Sequence, residues 1–180
     1  MIRSGFFFTL TVVLGISASA EALTATQRKA AAEHLKVLQA LGVDPAIVAE
    51  VKAYNAAAPA ESKDMTNEKW KQLTVLDPFV RSFTKNSLAQ HLKSKKDDSV
   101  TEMFVSGADG GKVAFLAKTT SWNHKGKEKH DTPMKGTVWF GEVELDQSSG
   151  QRQVQVAFPV LDGSKPIGSV VVGISIGKLN

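Results

Sequence analysis

The stretch Gly168-Ser-Val-Val-Val-Gly-Ile-Ser-Ile176 constrains the fold more than any other part of the chain. Val170, Val172, Ile174 and Ile176 are branched apolar residues at alternate positions, which is the two-residue period of a β-strand with one buried face. The opposite positions, Val171, Gly173, Ser175 and Gly177, carry little bulk. That face lets another element, or a ligand, come close to the backbone. The remaining chain must therefore supply at least one layer to cover a sheet, and its other strands are read from Thr101 onwards.

Residues 1–22 are expected to be an export signal rather than part of the fold. Arg3 provides a positive start, Phe6 to Ile16 an apolar run too short to span a bilayer, and Ala18-Ser-Ala20 and Ala20-Glu-Ala22 two small-x-small cleavage patterns. The mature chain is then expected in the periplasm. Its formal charge stays at +4, because the leader removes one base, Arg3, and one acid, Glu21. With no cysteine anywhere, disulfides, thiol chemistry and Cys-ligated metal centres are excluded. Residues 23–180 have the length of one ordinary domain.

Helical signals fill residues 23–99. Thr24 or Thr26 caps a first helix whose apolar stripe includes Ala31, Leu35, Leu38 and Leu41, with Gly42 as its stop. Asp44-Pro45 starts a second, with Ile47, Val48, Val51 and Tyr54 inward. Ala60 to Met65 reads as a polar linker, Thr66 opens a third helical region carrying Trp70 and Leu73, and Asp77-Pro78 a fourth carrying Phe79, Val80, Phe83 and Leu88. These aromatics are expected in the core. The basic run Lys85 to Lys96 reads as a solvated helix end complementing its dipole, since no Arg-rich or aromatic-interleaved pattern accompanies it; no nucleic-acid partner is expected.

From residue 100 the pattern turns to strands. Met103 to Ala117 forms a hairpin around Gly107-Ala-Asp-Gly-Gly111, which lacks the Lys-Ser/Thr of a phosphate loop. The connection Lys118 to Lys135 holds Trp122, His124, His130 and a surplus of lysine. Two readings of it stand side by side: a solvated loop pinned by one buried Trp, or a lid over a pocket for an anionic ligand. A metal site from His91, His124, His130 and Asp131 lacks ligand spacing. Met134 to Asp146 is a strand with a bulge near Gly141, and Asp146 to Gly150 a turn. Arg152 to Pro159 is a strand with Val154, Val156 and Phe158 on one face and Gln153, Gln155 and Ala157 on the other. Pro159 is expected to end its pairing, and Leu161-Asp-Gly163 to turn the chain into the last strand.

Several of these segments together resemble the extracytoplasmic Cache, or PDC, sensor domains, which are PAS-like. The resemblance rests on Val113-Ala-Phe-Leu-Ala-Lys-Thr-Thr-Ser-Trp122, Trp139, Asp146-Gln-Ser-Ser149, Val154-Gln-Val-Ala-Phe-Pro-Val-Leu-Asp-Gly163 and Pro166-Ile-Gly-Ser-Val-Val-Val-Gly-Ile174, and covers residues 78–178. It implies an α+β fold, a five-stranded antiparallel sheet covered by the N-terminal helices, with a central cavity for small carboxylates or amines. The sequence departs from that pattern after Trp122, where a lysine- and histidine-rich segment replaces an acidic one, and no membrane span or output module is expected after Asn180.

The domain reading is thus a leader over 1–22, a helical region over 23–99 and a PAS-like sheet over 100–180, the last two forming one domain. His124, His130 and Asp131 could form a dyad, but nothing in the sequence places a nucleophile near them, so no enzyme activity and no cofactor are expected. The functional expectation is a periplasmic small-molecule-binding domain whose pocket is lined by Trp122, Lys135, Trp139 and Gln155, with Arg152 secondary. The alternative is a periplasmic adaptor that docks on a membrane sensor or transporter without a ligand of its own.

Overall fold

A computed structural model describes residues 34–145 and 152–178. The expected leader, the start of the first helix and the turn Asp146 to Gly150 lie outside the described residues. Residues 34–39 are helical and pass into a 3-10 turn, Ala40–Val43. Five helices follow before the sheet: α1 (Pro45–Ala56), α2 (Ala60–Asp64), α3 (Asn67–Gln72), α4 (Pro78–Lys85) and α5 (Ser87–Lys95). The strands are β1 (Val100–Gly107), β2 (Lys112–Phe115), β3 (Trp139–Leu145), β4 (Arg152–Asp162) and β5 (Lys165–Ser175), with one short helix, α6 (Glu128–Asp131), between β2 and β3.

Helix starts follow local chemistry. Asp44 accepts hydrogen bonds from the backbone N–H groups of Ala46 (2.9 Å) and Ile47 (3.3 Å) ahead of Pro45, which starts α1. Its second carboxylate oxygen meets His91 Nε2 at 2.9 Å and so ties α1 to α5. Burial raises the Asp44 carboxyl, but the bonds from His91, Ile47 and Ala46 outweigh it and hold the group below its usual range. Thr66 caps α3 and Asp77 caps α4.

Two readings of the helical half need correction. Residues 60–64 form a helical turn, α2, instead of a linker, because Pro59 fixes an extended entry and its carbonyl accepts from Ser62 and Lys63. The fourth helix also breaks at Asn86, whose side chain accepts from Ala89 N–H at 2.8 Å and starts α5 afresh. The same amide donates to Val113 O at 2.9 Å and holds the break against β2.

The sheet is antiparallel throughout, in the order β2-β1-β5-β4-β3. β5 lies at its centre, as its two-sided burial requires. Gly110, in the left-handed region at φ 83°, closes the β1–β2 hairpin. The expected bulge in β3 lies between Phe140 and Val143. Pro159, however, does not end β4: pairing with β5 continues through Pro159↔Ser169, Val160↔Gly168 and on to Asp162↔Lys165. The proline is accommodated because β3 last pairs at Ala157, so the missing N–H faces a side where no strand follows.

Each face of the sheet has its own cover. On the first, Met103, Val105, Val156, Phe158, Val170, Val172 and Ile174 pack against Leu38, Leu41, Ile47, Val51, Leu88 and Leu92. On the second, Phe104, Phe115, Ala157 and Val171 pack against Trp70, Val80, Phe83 and Trp122. Trp122 stands among Trp70, Phe79 and Phe83 at centroid distances of 5.3, 5.2 and 5.1 Å.

Candidate functional site

The connection from Lys118 to Lys135 is ordered and packs over the second face as a cover, or lid in the geometric sense. Its first part is nailed down at backbone level: Trp70 Nε1 donates to Thr119 O at 2.6 Å, His124 N to Gly110 O at 3.0 Å, and Asn123 N to Asn67 Oδ1 at 3.0 Å. Trp122 is the buried pin. Beyond it, α6 and the 3-10 turn Pro133–Lys135 lie across β3, β4 and β5.

Beneath the lid the sheet presents polar side chains from alternate positions. At one end is Lys112, with 0% of its surface exposed. Its ammonium nitrogen donates to Ser106 Oγ at 3.2 Å and to His124 Nδ1, and lies 3.8 Å from the Phe104 ring centre. His124 in turn stacks on Phe104 at 5.0 Å. Burial, and secondarily the nearby Lys129, push Lys112 well below the usual lysine range. His124 is pushed down to about 2, first by burial and then by Lys112, Lys129 and Lys127. A neutral imidazole accepting at Nδ1 results. His130 is buried as well, sits 2.8 Å from Ser169 Oγ, and is lowered mainly by burial.

At the other end, Lys129 donates from the lid to Gln155 Oε1 at 2.7 Å, and Gln155 Nε2 donates to Glu102 Oε1. Thr101 Oγ1 donates to Gln153 Oε1 at 2.5 Å. Both glutamines are buried, so their polar ends are held by enclosed partners and not by bulk water. Gly173 lies under this layer. A Cβ there would stand 2.5 Å from Thr101 Oγ1 and 2.8 Å from Glu102 Cγ, so the bare backbone is what lets these side chains fold over β5.

Of the five residues picked from sequence, the structure brings three under or beside the lid. Trp122 is in the aromatic cluster, Trp139 packs at its edge with Nε1 donating to Glu128 Oε2 at 3.3 Å, and Gln155 faces Lys129. Lys135 is exposed at the end of the 3-10 turn, and Arg152 is exposed at the start of β4. Sequence reasoning passed over Lys112, Glu102 and Lys129. The signal for Lys112 was available, since it opens a short strand otherwise made of Val113, Ala114 and Phe115. The histidines considered for a metal are dispersed: His91 joins Asp44, His124 joins Lys112 and His130 joins Ser169. Among the described residues no cluster of three or more His, Asp or Glu is placed to hold a metal ion, and no helix is long and apolar enough to cross a membrane.

No protein-family model matches the chain, and no curated protein does. Solved structures are similar to it. The sensor domain of the V. cholerae histidine kinase DctB has 16% identity over 84% of this chain and 58% of its own, with a TM-score of 0.41. The ligand-binding domain of the Campylobacter jejuni chemoreceptor Tlp3, in complex with L-valine, has 14% identity over 86% of this chain and 64% of its own, with a TM-score of 0.43. That of the Pseudomonas aeruginosa amino acid chemoreceptor PctC, in complex with GABA, has 10% identity over 82% and 62%, with a TM-score of 0.37. In each case the chain spans less than two thirds of the matched structure. All three of these solved structures are sensor or ligand-binding domains.

Proposed function

We propose that the chain is an exported, periplasmic small-molecule-binding domain of the sensor type. Its ligand, a small carboxylate or amine, binds between the lid and the second face of the sheet. Trp122, Trp139 and Gln155 form the walls, and Lys135 and Arg152 stand at the margin. The observation that carries this reading is the polar layer enclosed there. Two glutamines, two histidines and a lysine converge from the sheet and the lid at a depth where a domain needing only stability would place apolar residues.

The test is a thermal-shift screen of the mature protein against small carboxylates, amino acids and amines, since a ligand of the native state raises the melting temperature by mass action. A saturable shift that Lys135→Ala weakens is expected. A panel without any shift, or a shift unchanged in Lys135→Ala, overturns the site assignment.

One observation favours a second reading, an interaction protein docking on a membrane sensor or transporter. Val75 and Leu76 are 64% and 73% exposed, between Leu73 and Asp77 of an open groove of about 380 Å³ whose lining also includes Glu61, Asp64, Met65, Lys69 and Phe79. Leu76→Asp separates the readings, leaving ligand shifts intact while abolishing any docking.

A further inference from the structure

Lid and sheet are in direct contact, so a ligand entering between them has to take the place of something. The group placed for replacement is Lys129. Its ammonium reaches across from α6 to Gln155 Oε1 at 2.7 Å, and Gln155, 8% exposed, is locked in orientation by its own bond to Glu102. Burial lowers the proton affinity of Lys129, and the carboxylates of Glu102 and Glu144 offset part of that by attracting its charge. The sheet supplies the acceptors, while the cation belongs to the segment that covers it.

The neighbours suit an alkylammonium. Bare backbone at Gly173 lets Glu102 and Gln153 close over β5, and the Trp139 ring lies against Gly141, near the backbone carbonyl of Gln155. Trp139 also holds Glu128, the residue before Lys129, at 3.3 Å. Lys129 itself is only half-buried, so its ammonium can exchange with solvent. Burial lowers its proton affinity despite the two carboxylates, which weakens its hold on the site.

We propose that Glu102 and Gln155 form a recognition site for a primary ammonium group, and that Lys129 fills it as a tethered stand-in which a free alkylamine displaces. This deepens the ligand-binding reading above and rests on it. It selects the amine over the carboxylate at this end of the face. A tethered group acts at an effective concentration in the roughly millimolar range, so the wild-type protein binds free amines weakly until the tether is cut. Displacement removes one of the bonds that tie α6 to the sheet and leaves those of His130 to Ser169 and of Trp139 to Glu128, so it loosens α6 without detaching it.

The probe is butylamine, the lysine side chain as a free molecule, with butanol and butyrate as neutral and anionic controls, read by thermal shift and calorimetry on the full mature chain. Butylamine is expected to stabilise Lys129→Ala, to bind it roughly 10-fold or more tightly than it binds wild type, and to lose that affinity in Glu102→Gln/Lys129→Ala. Lys129→Met keeps the alkyl stem and serves if the alanine variant folds poorly. In the wild type, butylamine is expected to speed hydrogen exchange over residues 126–131. Equal shifts with butylamine and butanol, equal affinities for wild type and variant, or indifference to Glu102→Gln overturn the proposal. A carboxylate that shifts wild type while butylamine affects no variant sinks the ammonium site and leaves the ligand-binding reading standing. A wild-type protein that no ligand class shifts sinks that reading itself.

Discussion

The two faces of the sheet are made from the same five strands, yet they are covered by different physics. On the first face Val170, Val172, Ile174, Val156 and Phe158 meet an apolar helical layer, and their contribution is non-directional burial. On the second, the residues one position along each strand, Ser169, Val171, Gly173, Gln155 and Ala157, meet aromatic rings and a lid carrying lysine and histidine. Attachment there depends on bonds with fixed geometry. A face held by burial tolerates shape-conserving change and resists opening, whereas a face held by a few directed bonds can be opened by a competitor for them.

The largest test of this contrast is Phe158→Ala, which empties a fully buried position on the first face. A loss of about 3–5 kcal/mol in urea unfolding is expected, with hydrogen-exchange protection falling across the whole sheet. If protection falls only under the lid, the faces are not distinct.

Next is the pH dependence of stability, which reads the second face. His124 is lowered from its ordinary 6.5 to about 2, so between those values the unfolded chain holds the extra proton and stability rises with pH. That contribution is complete above 6.5 and is lost as pH falls through the window. Lys112 extends the same slope upward, because its folded pKa is well below 10.5 and the unfolded chain binds more protons until that value is passed. Melting temperature should therefore climb from acid pH into the alkaline range, at no more than about 1.4 kcal/mol per pH unit for each group. Lys112→Met should flatten the alkaline limb in part, since Lys129 is lowered as well, and should shorten the acid limb, because Lys112 is one of the charges that hold His124 down. An unchanged alkaline limb contradicts the role assigned to Lys112.

Asn86→Ala comes third. It removes the cap of α5 and the bond to Val113, with an expected loss of about 1–2 kcal/mol by thermal melts. Lys52→Ala is the smallest. It breaks an exposed ion pair to Asp162 at 2.8 Å and should change stability by less than about 1 kcal/mol.

The first face was readable from the chain because its signal is a period: Val170, Val172 and Ile174 announce a buried side wherever the sequence is met, and Asp44-Pro45 announces the helix covering it. The bulge at Gly141 and the hairpin at Asp109-Gly110 were readable for similar local reasons. Asn86 was not, since a capping residue inside a helical pattern looks like any polar surface position until the chain turns there. Pro159 misled because its effect depends on which neighbouring strand is present, and β3 stops short of it. On the second face, strand parity placed Gln155 opposite Val154 and Val156 and so pointed to its side of the sheet. Lys129 and Glu102 were missed because residues 27 positions apart are brought together only by the sheet, and no short-range pattern encodes that meeting.

The helix break at Asn86 has one more consequence. With α4 on the aromatic side and α5 on the aliphatic side, the two helices straddle β2 and take that margin of the sheet out of reach of any other chain. The opposite margin, β3, is guarded instead by a kink and by the outward carboxylates of Glu142 and Glu144. Concentrated solutions of this protein should therefore resist strand-to-strand aggregation and become vulnerable to it from the β3 side when Glu142 and Glu144 are both replaced by valine.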